Sequence, residues 1–198
     1  MPDIKHFDHD TVLDTALRVF WQRGMASTGI QALVDATGLS RSSLYATFGS
    51  KEGLYTEALR RYIARWSTPA FAALAADPGG LDAIERFFAG LIDLRCSGEL
   101  AGWGCLVTNA HAGPESAVPQ VRALLDDHHR QLQGALRTTL GTAAALGRLA
   151  PSVDPDDAAA VLAALAYGVN LRSRAGAPPE ALHATVAGAL RPLYAQPS

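Results

Sequence analysis

The stretch LSRSSLYATFGSKEGL, Leu39 to Leu54, decides how the chain reads. Leu44 and Phe48 stand four residues apart, one turn of an α-helix, so they share a side. Arg41, Ser42, Ser43, Tyr45 and Thr47 are then spread over the remaining surface of a short helix running from Arg41 to Phe48. Ser40 is suited to cap its start and Gly49 to end it. Ser50 repeats the start signal for the next helix, with Glu52 in its first turn. From Thr37 to Ser50 there is no Asp or Glu, although the whole chain has a formal charge of −2. An acid-free helix surface rich in short hydroxyls suits a polyanion. Hydroxyls reach phosphates or base edges without holding the backbone out of a groove, Arg binds guanine bidentately, and Tyr donates to a phosphate.

Upstream, Val12, Leu13, Ala16, Leu17 and Phe20 recur at helical spacing within Asp8 to Arg23, and Gly24 ends that helix. Ser27 or Thr28 can cap a second, short helix carrying Ile30, Leu33 and Val34. Gly38 closes it by accepting a left-handed conformation. Two short helices joined by TGLS after a longer one have the spacing of a helix-turn-helix in a three-helix unit. Downstream, Leu54, Tyr55, Leu59, Tyr62, Ile63 and Trp66 line the apolar side of a long helix that Pro69 breaks or bends. The domain boundary is expected along this helix, separating residues 1–54 from 55–198. Residues 1–66 hold eight Lys/Arg against seven acids, a charge of +1 that leaves −3 for the remainder. The sign suits a DNA-facing N-terminal end.

The rest of the chain also reads as helical, so the expected fold class is all-α. Leu81 to Cys96 turns Ile84, Phe87, Phe88, Leu91 and Ile92 inward. SGELAGWGCLVTNAHAGPES is Gly-rich with no clean period, which predicts short or broken helices. A long helix runs from Val118 to about Ala145. Asp154 then caps a helix to Arg174 that has Pro155 at its first position. GAPPEA precedes a last helix from Glu180 to Tyr194.

Several classes drop out. MPDIKHFDHD has no apolar core of a leader, so the chain reads as cytoplasmic. Its longest nearly unbroken apolar run, Ala158 to Val169, is short of the roughly 18–20 residues that span a bilayer. Cys96 and Cys105 make no disulfide framework. DDHH, Asp126 to His129, places adjacent side chains about 100° apart on a helix, so it supplies no converging metal ligands. There is no Gly-rich phosphate loop, nucleophile elbow or HExxH, so neither an enzyme nor a cofactor is implied.

TGIQALVDATGLSRSSLYATFGSKEGLYTEAL resembles the N-terminal DNA-binding domain of the tetracycline-repressor (TetR) family of bacterial transcription regulators, over roughly residues 8–66. SLYATFGSKEGL carries the family's Tyr, Phe, Lys and Leu in register. The resemblance implies a homodimer whose N-terminal domains insert their third helices in the major groove, and whose larger C-terminal domains dimerise and bind a small-molecule effector. Carried onto this sequence, Thr28 and Lys51 would hold phosphates. Arg41, Ser42 and Thr47 would approach bases, and Ser43 and Tyr45 would contact backbone or bases. Gly29 departs from the family, which commonly has a β-branched or polar residue there.

The family's dimer uses its last two helices, which makes Ala159, Leu162, Ala166, Val169, Val186 and Leu190 the interface candidates. Two-fold symmetry then predicts a near-palindromic double-stranded operator, with half-sites a helical turn of roughly 34–36 Å or a multiple apart. Effector-pocket candidates are Trp66, Phe88, Trp103, Cys105, Asn109, His111, His128 and Tyr167, with core packing the competing reading for each. The Gly-Cys-Leu segment at Cys105 is similar to a branch of the family in which that cysteine senses electrophiles or oxidants. Cys105 is therefore also a redox candidate, with Cys96 as a possible resolving thiol and a buried structural thiol as the alternative. The expected function is a repressor released from DNA by a small molecule, the alternative being a thiol-based sensor acting through Cys105.

Overall fold

The computed structural model describes residues 8–195, all helix and connecting turns apart from one isolated bridge between Leu149 and Tyr194. Residues 1–7, where no leader core was expected and where Lys5 of the basic count falls, lie outside the described residues. The first helix, α1 (His9–Arg23), begins at Asp8, whose side chain accepts from the Asp10 amide. α2 (Ile30–Thr37) and α3 (Arg41–Phe48) follow, with Gly38 between them in the left-handed region at φ +71°. Ser40 caps α3 by accepting from the Ser43 amide, and Ser50 caps α4 (Lys51–Tyr62) by accepting from the Gly53 amide. The cap expected from Ser27 or Thr28 is not formed. α2 starts at Gly29 with no side-chain cap, because the Thr28 hydroxyl turns inward and donates to Gly24 O at 2.6 Å.

α4 does not stop at Pro69. It widens into a π turn at Ile63–Ser67 and continues as α5 (Thr68–Ala76). The change of hydrogen-bond register accommodates a residue that has no N–H to give. α6 (Leu81–Cys96), α7 (Leu106–Ala112), α8 (Pro119–Ala145), α9 (Pro155–Arg174) and α10 (Pro179–Leu190) complete the body. Short 3₁₀ turns follow α7 at Pro114–Ala117 and α10 at Arg191–Leu193. Asp154 caps α9 as expected, accepting from the Asp156 and Asp157 amides.

Two apolar cores result. The first gathers α1 to α4 around Phe20, Trp21, Leu33, Leu44, Phe48 and Tyr62, and also takes in Leu106, Val107, Val121 and Leu125 from beyond residue 100. The second is built from α5, α6, α8, α9 and α10. A division after Leu54 therefore runs through α4, since Tyr55, Ala58, Leu59 and Tyr62 pack with the N-terminal core. The cores part at the π turn. Arg61 of α4 ties the head together by donating to Asp10 (2.9 Å) and Asp14 (3.0 Å) on α1.

The six proposed interface residues Ala159, Leu162, Ala166, Val169, Val186 and Leu190 are all buried inside the subunit. They fill the second core, because the apolar arc of α9 and α10 is wide enough to have one face inward and another outward. The outward face of α9 carries Val161 and Leu171, exposed by 64 % and 53 %. With Ala164 and Gly168 they fall within about 80° of helical arc. On α10 the corresponding exposed positions are Ala181, Ala184 and Gly188.

Candidate DNA-binding surface and effector cavity

On α3, burial of Leu44 and Phe48 leaves Arg41, Ser42 and Thr47 exposed and Ser43 and Tyr45 half-exposed. Arg41 lies over the Tyr45 ring at 5.5 Å, and among the described residues no carboxylate pairs with it. The hydroxyls make local bonds that water or a phosphate can replace. Ser40 Oγ lies 2.9 Å from both Ser42 Oγ and Ser43 Oγ, and Thr47 donates to Ser43 O.

Two of the expected phosphate contacts point elsewhere. Thr28 is fully buried. The Lys51 ammonium donates to Met25 O (3.0 Å) and Thr28 O (3.1 Å), holding the loop between α1 and α2. From the other side Glu115, itself buried, accepts from the Met25 amide at 2.6 Å and the Ala26 amide at 3.4 Å. The loop that aims α2 is thus gripped by the head and by the body. Nothing in the unpatterned segment around Glu115 marked it in the sequence. The uncapped start of α2 falls at Gly29, the position that departs from the family, and it offers free amides at a positive helix end.

Below the head lies a cavity of about 290 Å³, with Trp66, Phe71, Phe87, Leu91, Leu132 and Ala166 among its apolar walls. Of the sequence candidates, Trp66, Cys105, His128 and Tyr167 line it. Phe88 does not, since it is fully buried one step round α6, against Phe87. Trp103 packs edge-on to Trp21 at 5.7 Å in the head core. Asn109 Nδ2 donates to Trp103 O at 2.9 Å, fixing the turn before α7. His111 lies in a shallow outer groove, 5.2 Å from the far side of Tyr167.

The polar groups of the cavity are few and specific. Arg95, only 5 % exposed, donates from Nε to Asn170 Oδ1 (2.6 Å) and from Nη2 to the Tyr62 hydroxyl (3.0 Å). Tyr62 in turn donates to Cys105 Sγ at 3.4 Å, and Arg95 also reaches that thiol. No Lys or Arg stands close to Cys105 along the chain; the fold supplies one from α6. Arg95 was missed as a site residue, yet it continues the inward spacing of Phe88 and Ile92. A charged residue on an apolar period is the signal that could have found it.

His128 Nε2 lies 3.1 Å from Ser67 Oγ, while its buried Nδ1 has no partner among the described residues. Burial, with His111 and His129 nearby, pushes its pKa down to about 4, so the ring is neutral at pH 7. The Tyr167 hydroxyl is buried without a partner among the described residues, and burial pushes its pKa up to about 12. Among the described residues no group of side chains is arranged to hold a metal.

A helix-turn-helix head that displays an acid-free helix, joined by one shared helix to a helical body with a small cavity, defines a DNA-binding transcription regulator. Residues 12–58 match the family described as bacterial regulatory proteins, tetR family, and residues 80–189 match the tetracyclin repressor-like C-terminal domain. The HTH-type transcriptional repressor ComR of Escherichia coli K12 is 32 % identical over 181 residues, 90 % of this chain and 85 % of that protein. A cysteine mutant of the TetR family regulator CifR, complexed with 26-bp double-strand operator DNA, superposes with a TM-score of 0.84 and 31 % identity, over 96 % of this chain and 99 % of that one. The reduced form of E. coli NemR has the same fold, with a TM-score of 0.79 at 24 % identity over 96 % of this chain and 100 % of that one. The chain belongs to the TetR family of bacterial transcription regulators.

Proposed function

We propose that the protein is a homodimeric, cytoplasmic repressor that binds a near-palindromic operator through α3 and leaves it when a small molecule occupies the cavity. The observation that carries this reading is that one helix belongs to both sites. Lys51 at the start of α4 holds the loop that aims α2, and Tyr62 at its end forms part of the cavity wall. Eleven residue rises separate them, roughly 17 Å of continuous helix. A ligand that displaces Tyr62 moves a lever whose other end sets the DNA-reading unit. Release is then a population shift toward a form that binds ligand and not DNA.

On α3, Arg41 is the base-reading residue, with Ser42, Ser43, Tyr45 and Thr47 available to bases or backbone. Phosphate is held by the α2 amides at Gly29 more than by Thr28. The dimer forms through the outward faces of α9 and α10, whose small residues allow close approach of a second copy. Selection from random duplexes should enrich a two-fold symmetric motif. Arg41→Ala should weaken binding to it by about 1–3 kcal/mol and relax one base position in each half-site. No enriched motif, or an unchanged footprint with Arg41→Ala, would count against the reading.

A second reading has a specific observation behind it. Cys105 Sγ accepts from the Tyr62 hydroxyl, which itself accepts from the buried Arg95, so the thiol sits at the joint between α4 and α6. Alkylation of Cys105 would place its adduct against the same lever. Unchanged operator affinity after stoichiometric alkylation would remove it.

A further inference from the structure

The charge inside the cavity is unbalanced. Two arginines line it. Arg86 is paired with Asp77, its Nη2 donating to both carboxylate oxygens at 2.9 and 2.8 Å. Arg95 has no such partner among the described residues, and no Asp or Glu lines the cavity. Its contacts are the amide oxygen of Asn170, a phenol hydroxyl and a thiol. A guanidinium keeps its proton under all ordinary conditions, and burying one without a counter-charge is costly. Two further buried polar atoms at the same cavity, His128 Nδ1 and the Tyr167 hydroxyl, have no hydrogen-bond partner among the described residues. Three deficits meeting in one apolar space are better explained by an absent ligand than by three separate faults in packing.

We infer that the effector is a small organic monoacid, its carboxylate against Arg95 and its apolar body against Trp66, Phe71 and Leu132. This rests on the proposal that the cavity is the effector site, and names the chemical class it takes. An acid supplies the missing negative charge, and Arg forms its best-matched hydrogen bonds with a planar carboxylate. His128, being neutral, adds no second cation, so one negative charge is the complement. The volume of about 290 Å³ is at the small end of ligand pockets, which span about 300–1,000 Å³, and suits a compact acid. Tyr167 donates to a second acceptor on the ligand. Because Arg95 is also the partner of Tyr62, the carboxylate competes directly for the group that holds the end of α4.

The test uses the full-length dimer at pH 7.5 without DNA, titrated by calorimetry with benzoate, cinnamate and 1-naphthoate and with the matching carboxamides. At least one acid should bind saturably and about 10- to 100-fold more tightly than its amide, the range expected when a charge-assisted hydrogen bond is lost. Arg95→Met should erase that preference while unchanged helix content and sedimentation show the variant is folded. Cys105→Ala should keep it. Equal binding of acid and amide, no binding of any acid, or saturation of the site by chloride alone overturns the inference. So does an acid preference that appears only when Cys105 is removed, since Cys105 would then hold the place assigned to the acid. Operator release is measured separately: an acid that binds through Arg95 without freeing DNA upholds the chemistry and refutes the effector role.

Discussion

Glu115 is where the body holds the head, and removing it should have a measurable cost. Its Oε1 accepts from the Met25 amide at 2.6 Å and the Ala26 amide at 3.4 Å, with the side chain almost wholly enclosed. Glu115→Ala leaves the Met25 N–H without an acceptor. An orphaned buried donor costs about 1–3 kcal/mol, and the lost bond was charge-assisted, which favours the upper half of that range. For a chain of this size each kcal/mol lowers the melting temperature by roughly 2–4 °C, so the variant should melt about 4–12 °C below the parent. Glu115→Gln keeps an acceptor oxygen without the charge and should recover part of the loss. Both melts are taken at one protein concentration, because a dimer's stability depends on it. Amide exchange should quicken at Met25 and Ala26 in the Ala variant and change little in α9. A melting temperature within about 1 °C of the parent, with exchange at Met25 unaltered, would refute the view that Glu115 holds the loop.

Three more outcomes follow from particular contacts. His128 is depressed to about 4 in the folded chain from an ordinary value of 6.5, so its contribution to stability is complete above pH 6.5 and lost as pH falls toward 4. The difference is on the order of 3 kcal/mol; His128→Asn should give a flatter melting profile between pH 6.5 and 4, and parallel profiles would mean that the ring is not what titrates. Val161→Asp puts a charge on the exposed face of α9 and should shift sedimentation from dimer to monomer without changing helix content; an intact dimer would move the interface elsewhere. Lys51→Met removes two bonds to loop carbonyls and should lower the melting temperature while leaving the slope of operator affinity against salt unchanged. A slope shallower by about one would return Lys51 to a phosphate.

The helix-turn-helix was legible because its signals are local. Ser40 and Ser50 accept from amides three residues on, Gly38 donates to the Val34 carbonyl four residues back, and Leu44 and Phe48 mark their inner face by spacing alone. The bounds of α6 and the cap of α9 were legible for the same reason. What spacing does not show depends on distant partners. Thr28 carries the residue type for a phosphate contact, but its hydroxyl serves Gly24 and its surface is covered. Lys51 reads as a phosphate ligand until the loop carbonyls 23 and 26 positions earlier are seen at its ammonium. The buried rows of α9 and α10 read as interface because composition does not say which side of an apolar helix faces its own subunit. Arg95 lies 33 residues from one partner and 75 from the other, so no window of sequence contains its role.

The same distances argue for where control resides. A hundredfold drop in operator affinity requires about 2.8 kcal/mol of difference between the two forms. A hydrogen bond to a charged group contributes about 1.5–3 kcal/mol, so the Arg95 to Tyr62 bond alone is of the right size to be the quantity exchanged. Tyr62 is also packed edge-on to Trp21 at 4.9 Å, and Trp21 Nε1 donates to Gly104 O beside Cys105. Anything that rearranges Arg95, whether an acid or an adduct on Cys105, therefore acts on α1 and α4 together. The two readings of the trigger differ in chemistry and converge on one joint, which is why the decisive variant is Arg95→Met and not a change on the DNA-facing surface.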